Sequence, residues 1–135
     1  MITLEEFYMG RDVTHANELT DEIRSNALVT VERSNKLLAL YIAATGDERP
    51  RRVNSGWRPA AVNAVIGGAR KSHHMMGRAI DIADASKALK RWLMTEAGQA
   101  ALVSVGLWME HPDATPSWAH LQITPPRSGR RVFQP

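Results

Sequence analysis

Ser72-His73-His74-Met75-Met76-Gly77-Arg78-Ala79-Ile80-Asp81 is the stretch on which the reading of this chain turns. It runs on into Ile82-Ala83, and the alternation of small and branched residues from Ala79 to Ala83 predicts a strand. Such a strand places Ala79, Asp81 and Ala83 on one face and Ile80 and Ile82 on the other. Farther along, Trp118 to Ile123 predicts another strand, in which His120 faces away from Ala119 and Leu121. Two histidines and a carboxylate suit a catalytic zinc, which takes three protein ligands and keeps a fourth position for water. Asp81 and His120 offer two of the three, and His73 or His74 offers the third. A histidine at 74 would lie on the opposite face of one continuous strand from Asp81, so a turn must intervene. Gly77 stands where that turn belongs, because glycine adopts backbone conformations closed to other residues. Ala79 is small enough to leave room beside a metal.

The rest of the composition narrows the chemistry. The chain of 135 residues is expected to form a single domain, 1–135. Its 44% hydrophobic and 23% charged residues are those of an ordinary folded protein. There is no cysteine, which excludes thiolate metal sites, disulfide scaffolds and cysteine nucleophiles, so a metal must be held by nitrogen and oxygen. The formal charge of +3 and pI near 9.7 would suit an anionic partner. The basic residues are dispersed, however, and the clusters Arg49 to Arg52 and Arg127 to Arg131 sit among prolines and glycines, so they read as solvated loop and tail, with no nucleic-acid partner. No apolar run approaches the roughly 20 residues of a bilayer span. The opening Met-Ile-Thr-Leu-Glu-Glu-Phe lacks the pattern of a signal peptide, which predicts a protein made in the cytoplasm.

Around the two strands the chain is predicted to be helical. Ile23, Ala27, Val31, Leu38 and Ile42 recur at helical spacing between Leu19 and Thr45, with Thr20 or Asp21 as cap and Gly46 as stop. Arg52 to Trp57 reads as a short strand, and Pro59 opens a helix to about Ile66 that Gly67-Gly68 ends. A further helical region starts near Ser86, buries Leu89, Trp92 and Leu93, breaks at Thr95 or Gly98, and ends at Val105. Gly106 to Glu110 is a strand joined to the next by the polar loop His111 to Ser117. Trp108 is assigned to the core, and the tail over 124–135 to the surface. No internal repeat or linker interrupts the chain.

The run from Ser72 to Asp81 has the form SxHxxGxAxD. It resembles the metal motif of the M15 peptidase family, the zinc peptidases that include D-alanyl-D-alanine carboxypeptidases and phage endolysins. The register of Ser72 and Asp81 in that resemblance selects His74 over His73 and gives His74, Asp81 and His120 as the zinc ligands. Ser55-Gly56-Trp57-Arg58 is similar to a segment that precedes the motif in the family, so the resemblance covers about Ser55 to Gln122. It implies an α+β fold in which a small antiparallel sheet carries one zinc ion and helices pack on one side, the arrangement also called hedgehog-like. The closing Ser-Gly-Arg-Arg-Val-Phe and the small size resemble the phage-borne single-domain members.

From these, Arg58 is expected to steady an oxyanion or hold a substrate carboxylate. Ser72 is expected to contact substrate, orient a ligand or cap a turn, and Trp118 to wall the cleft. Many relatives carry an acid three positions before the last histidine ligand, where this chain has Ser117. Glu110, at the end of the preceding strand, is the candidate base, with His111 and Asp113 next in line. The expected activity is hydrolysis of a peptide bond in peptidoglycan stem peptides by a monomer, as a carboxypeptidase or an endopeptidase. Access to the wall would follow lysis, release with a holin partner, or virion delivery. The rival reading is a phage structural or wall-binding protein that keeps the metal fold with little catalysis.

Overall fold

In the computed structural model, which describes residues 1–135, the chain opens on a capping box. The Thr3 hydroxyl accepts from the Glu6 amide, and the Glu6 carboxylate accepts from the Thr3 amide, launching α1 (Leu4–Tyr8). The short α2 (Arg11–Thr14) follows, then the long α3 (Asp21–Thr45). Of the two expected caps for α3, Thr20 is the one used: its hydroxyl accepts from the Ile23 amide at 3.2 Å, and Gly46 ends the helix with φ 72°. Ile23, Ala27, Val31, Leu37, Leu38 and Tyr41 form its buried stripe. Burying each large aliphatic side chain contributes about 1.5–3 kcal/mol.

The sheet follows the order β1 (Val53–Ser55), β2 (Ala79–Ala83), β4 (Trp118–Gln122), β3 (Trp108–Glu110), β5 (Val132–Phe133). The first four strands pair antiparallel, as expected. The fifth corrects two expectations at once: it pairs parallel to β3, making the sheet mixed, and it is formed by the tail assigned to the surface. The β3 ladder captures it through Met109 N to Arg131 O (2.9 Å) and His111 N to Phe133 O (2.7 Å). Residues 127–130 are exposed.

Ile80, Ile82, Met109, Ala119 and Leu121 are fully buried in one hydrophobic cluster with Phe7, Leu37, Leu93 and Leu102, so the helices cover that face. Asp81, Glu110 and His120 alternate onto the other. Trp108 shares their face: it is partly exposed, with the Arg131 guanidinium stacked 4.2 Å above its ring, so it is not the core residue expected. The helix after Pro59 is α4 (Ala60–Val65), and the region after Ser86 divides into α5 (Ala88–Leu93) and α6 (Glu96–Val105). The break falls at Thr95, whose hydroxyl caps α6 from the Gly98 amide. Trp92 is only partly buried, edge-on to Tyr41.

A polar exception in the α3 stripe bears on function. Asn26 donates to the Met76 carbonyl at 2.9 Å, and the fully buried Thr30 hydroxyl donates to the Gly77 carbonyl at 2.7 Å. The helix thus grips the turn between the histidines and β2. Gly77 has φ 71°, and a Cβ there would lie 3.0 Å from the Ile23 carbonyl oxygen, so both conformation and closeness require glycine. Thr30→Val keeps the shape and orphans the Gly77 carbonyl. It is expected to lower unfolding free energy by about 1–3 kcal/mol, measured by urea denaturation of the metal-free protein.

Candidate metal centre

His74 is supplied by a 3-10 turn over His73–Met76 that Ser72 caps, its hydroxyl accepting from the His74 amide at 3.2 Å. Ser55-Gly56-Trp57-Arg58 fastens this turn from the other side. Arg58 N donates to the His74 carbonyl (3.0 Å), Trp57 Nε1 donates to the Met75 carbonyl (3.1 Å), and the Gly56 carbonyl accepts from His74 Nδ1 (2.9 Å). Gly56 is itself pressed against α1, where a Cβ would sit 2.0 Å from the Phe7 carbonyl oxygen. The Ser-Gly-Trp-Arg segment therefore aims the first histidine as well as supplying an arginine.

Because a carbonyl only accepts, the Gly56 contact places the His74 proton on Nδ1 and leaves the Nε2 lone pair facing inward. Nε2 lies 3.3 Å from Asp81 Oδ1. Directly across the β2–β4 ladder, Asp81 is the Cα partner of His120, whose Nδ1 is 2.8 Å from the same oxygen. His120 Nε2 points the other way, 3.1 Å from Gln122 Oε1. One ligand atom from each of His74, Asp81 and His120 falls within 4.8 Å of the others. In a tetrahedron with bonds of about 2.0–2.1 Å the ligand atoms are roughly 3.3 Å apart, so the donor set fits a small divalent cation. His73, the alternative at the start of the motif, lines the cleft without joining this group.

The electrostatics follow from the convergence. Burial opposes charge on Asp81, but the His120 and His74 imidazoles that close on its carboxylate outweigh it and hold the carboxyl well below the usual carboxylate range. Burial likewise opposes charge on His120, and its hydrogen bond and attraction to Asp81 prevail, raising its pKa. Glu110 shifts the other way: burial pushes its carboxyl up, against the attraction of His120.

All of this opens on one cleft of about 330 Å³. Of the residues singled out in the sequence, His74, Asp81, His120, Glu110, Arg58, Ser72 and Trp118 all line it. Arg58 donates to Asn63 Oδ1 and to Ser55 Oγ, both at 3.1 Å, while its buried Nε has no partner. His111 and Asp113 are not brought there: the His111 ring accepts from the Asp113 amide, and Asp113 is exposed. Ser117 is exposed too, its carbonyl accepting from the Asp84 amide.

Five lining residues were missed in the sequence: Ala69, Lys71, Gln122, Phe133 and Pro135. Phe133 stands edge-on to the His120 ring, centroids 6.4 Å apart. Gln122 carried a usable signal, since alternation from His120 puts it on the same face of β4. Phe133 carried none, because its Arg- and Gly-rich surroundings look like a solvated tail.

A half-buried glutamate beside two imidazoles and a carboxylate, on the open face of a helix-backed sheet, is the arrangement of a metallopeptidase. A family model described as Peptidase M15 matches residues 12–112, more than half of the chain, and the chain belongs to that peptidase family. The match reaches well before Ser55, through α3, and it stops short of His120, whose place in the site rests on the geometry above. No curated protein and no solved structure matches the chain. No helix is long and apolar enough to cross a membrane.

Proposed function

We propose that the protein is a zinc peptidase that hydrolyses a peptide bond in the stem peptides of bacterial peptidoglycan. The observation that carries this is the convergence of His74 Nε2, Asp81 Oδ1 and His120 Nδ1 in a cleft that also holds Glu110. A zinc ion held by these three atoms would act as a Lewis acid and bring the pKa of a water near neutrality. Glu110, its carboxyl already raised by burial, accepts a proton from the attacking water and passes it to the leaving amine. Arg58, fixed by Ser55 and Asn63, offers charge to the developing oxyanion or to a substrate carboxylate. Trp118 walls the cleft against the substrate backbone, and Ser72 holds the His74 turn at its rim. The enzyme meets its substrate after lysis, holin-assisted release or virion delivery.

The test is to incubate zinc-loaded protein with purified peptidoglycan and identify the products by mass spectrometry. Loss of one terminal residue identifies a carboxypeptidase, and an internal cut identifies an endopeptidase. Intact stem peptides would overturn the proposal and favour a binding protein that keeps the metal fold. Once a cleaved peptide is in hand, Phe133→Ala is expected to raise KM by roughly fivefold, the loss of about 1 kcal/mol of aromatic contact. Steady-state kinetics on that peptide measures it.

A further inference from the structure

Gln122 is buried, 2% exposed, on the strand that carries His120 and two residues beyond it. An amide so placed is costly unless hydrogen-bonded. Its Nε2 donates to the Thr124 carbonyl at 2.7 Å, which fixes the amide orientation, because the flipped amide would set two acceptor oxygens against each other. Oε1 is thereby turned to His120 Nε2 at 3.1 Å and can only accept from it. The proton of a neutral His120 belongs on Nε2, and the lone pair on Nδ1, the nitrogen that faces Asp81.

His74 is set the opposite way. The Gly56 carbonyl takes its Nδ1 proton and presents Nε2. The two histidines thus present different nitrogens to one carboxylate oxygen. A backbone carbonyl decides one, and a side chain, which a substitution can alter, decides the other.

We propose that Gln122 is a positioning residue that selects Nδ1 of His120 as the metal-binding nitrogen and so sets the affinity of the site. The inference rests on the metal reading of the cleft. The competing pull on the imidazole is Asp81, which would draw the proton to Nδ1 and close the ligand position. Gln122 opposes that pull from the far side of the ring. A ligand histidine whose outer nitrogen loses its partner binds metal about 10–100-fold more weakly.

Zinc affinity by competition with a fluorescent chelator, together with the long-range ¹⁵N–¹H spectrum of the zinc-loaded protein, tests this. In wild type the His120 proton is expected on Nε2. Gln122→Leu is expected to weaken zinc binding about 10–100-fold. Gln122→Glu, which keeps an acceptor facing His120 Nε2, is expected to bind zinc about tenfold more tightly than Gln122→Leu and to retain the Nε2 proton, and a proton on Nδ1 in that variant overturns the role of Gln122. Zinc binding unchanged in Gln122→Leu, or a wild-type proton on Nδ1, overturns the role of Gln122 while leaving the metal centre in place. Failure of the wild type to take up zinc overturns both. If Gln122→Leu does not fold, the wild-type spectrum and Gln122→Glu decide.

Discussion

His74→Ala is expected to weaken zinc binding by at least about 10²-fold and to abolish measurable peptide hydrolysis. The ring is 4% exposed, held between the Gly56 carbonyl and Asp81, so a mobile neighbour cannot easily replace it. Total binding free energies at zinc sites are about 10–16 kcal/mol, and removing one ligand of three or four forfeits roughly 3–4 kcal/mol of that. Each 1.4 kcal/mol is tenfold in affinity. The substitution also leaves the Gly56 carbonyl without its partner, at a cost of about 1–3 kcal/mol in the metal-free fold. Two measurements separate the effects. Chelator competition reads the affinity directly. Thermal melting with and without zinc reads the linkage: at zinc a thousandfold above its dissociation constant the wild type gains about 4 kcal/mol, and the variant gains far less. Ser117→Ala, at an exposed position away from the cleft, should behave as wild type in both. Equal zinc affinity in wild type and His74→Ala would remove the metal from this cleft.

Glu110→Gln is expected to lower kcat/KM by about 10²–10⁴-fold with zinc affinity nearly unchanged. The amide keeps the size and the lining of the cleft but cannot take up a proton. Loss of turnover without loss of metal distinguishes a base from a ligand. The pH profile gives a second readout, with a definite sign. A base works in its charged form, so wild-type kcat/KM should rise with pH as Glu110 ionises. The low-pH limb, set by ionisation of the Glu110 carboxyl, should vanish in Glu110→Gln. A variant that retains wild-type turnover would assign the proton transfer elsewhere in the cleft.

The choice of Glu110 shows how far local pattern reached. Family resemblance pointed to the position of Ser117, which lacks an acid, and left Glu110, at the end of the preceding strand, and His111 and Asp113, in the loop after it, as candidates. The sheet distinguishes them. Glu110 is the last residue of β3 and shares the open face of the sheet with Asp81 and His120, whereas the chain turns away at His111 into a 3-10 turn over Pro112–Ala114. Strand neighbours are set by pairing across the sheet, and sequence separation does not encode it.

The tail makes the same point in reverse. Residues 131–133 carry little apolar periodicity, and nothing local predicts a strand of two residues. They become one because β3 presents an unpaired edge that Met109 and His111 use to bind them, with Arg131 stacked on Trp108. The N-terminus was legible and overlooked: Thr3 and Glu6 have the spacing of a capping box, yet α1 is only five residues long and has almost no periodicity to display.

By itself, then, the amino-acid sequence determined the donor types, the turn at Gly77, the faces of β2 and β4, and the long helix at their back. These follow from residue chemistry and from the periods of strand and helix, which are local. Only the tertiary structure decided that Asp81 stands directly across from His120, that each histidine offers a different nitrogen, that Glu110 lines the cleft while His111 and Asp113 do not, and that Phe133 closes the wall. Those are outcomes of long-range pairing and of hydrogen bonds between residues far apart in the chain, whose partners exist only once the sheet has formed.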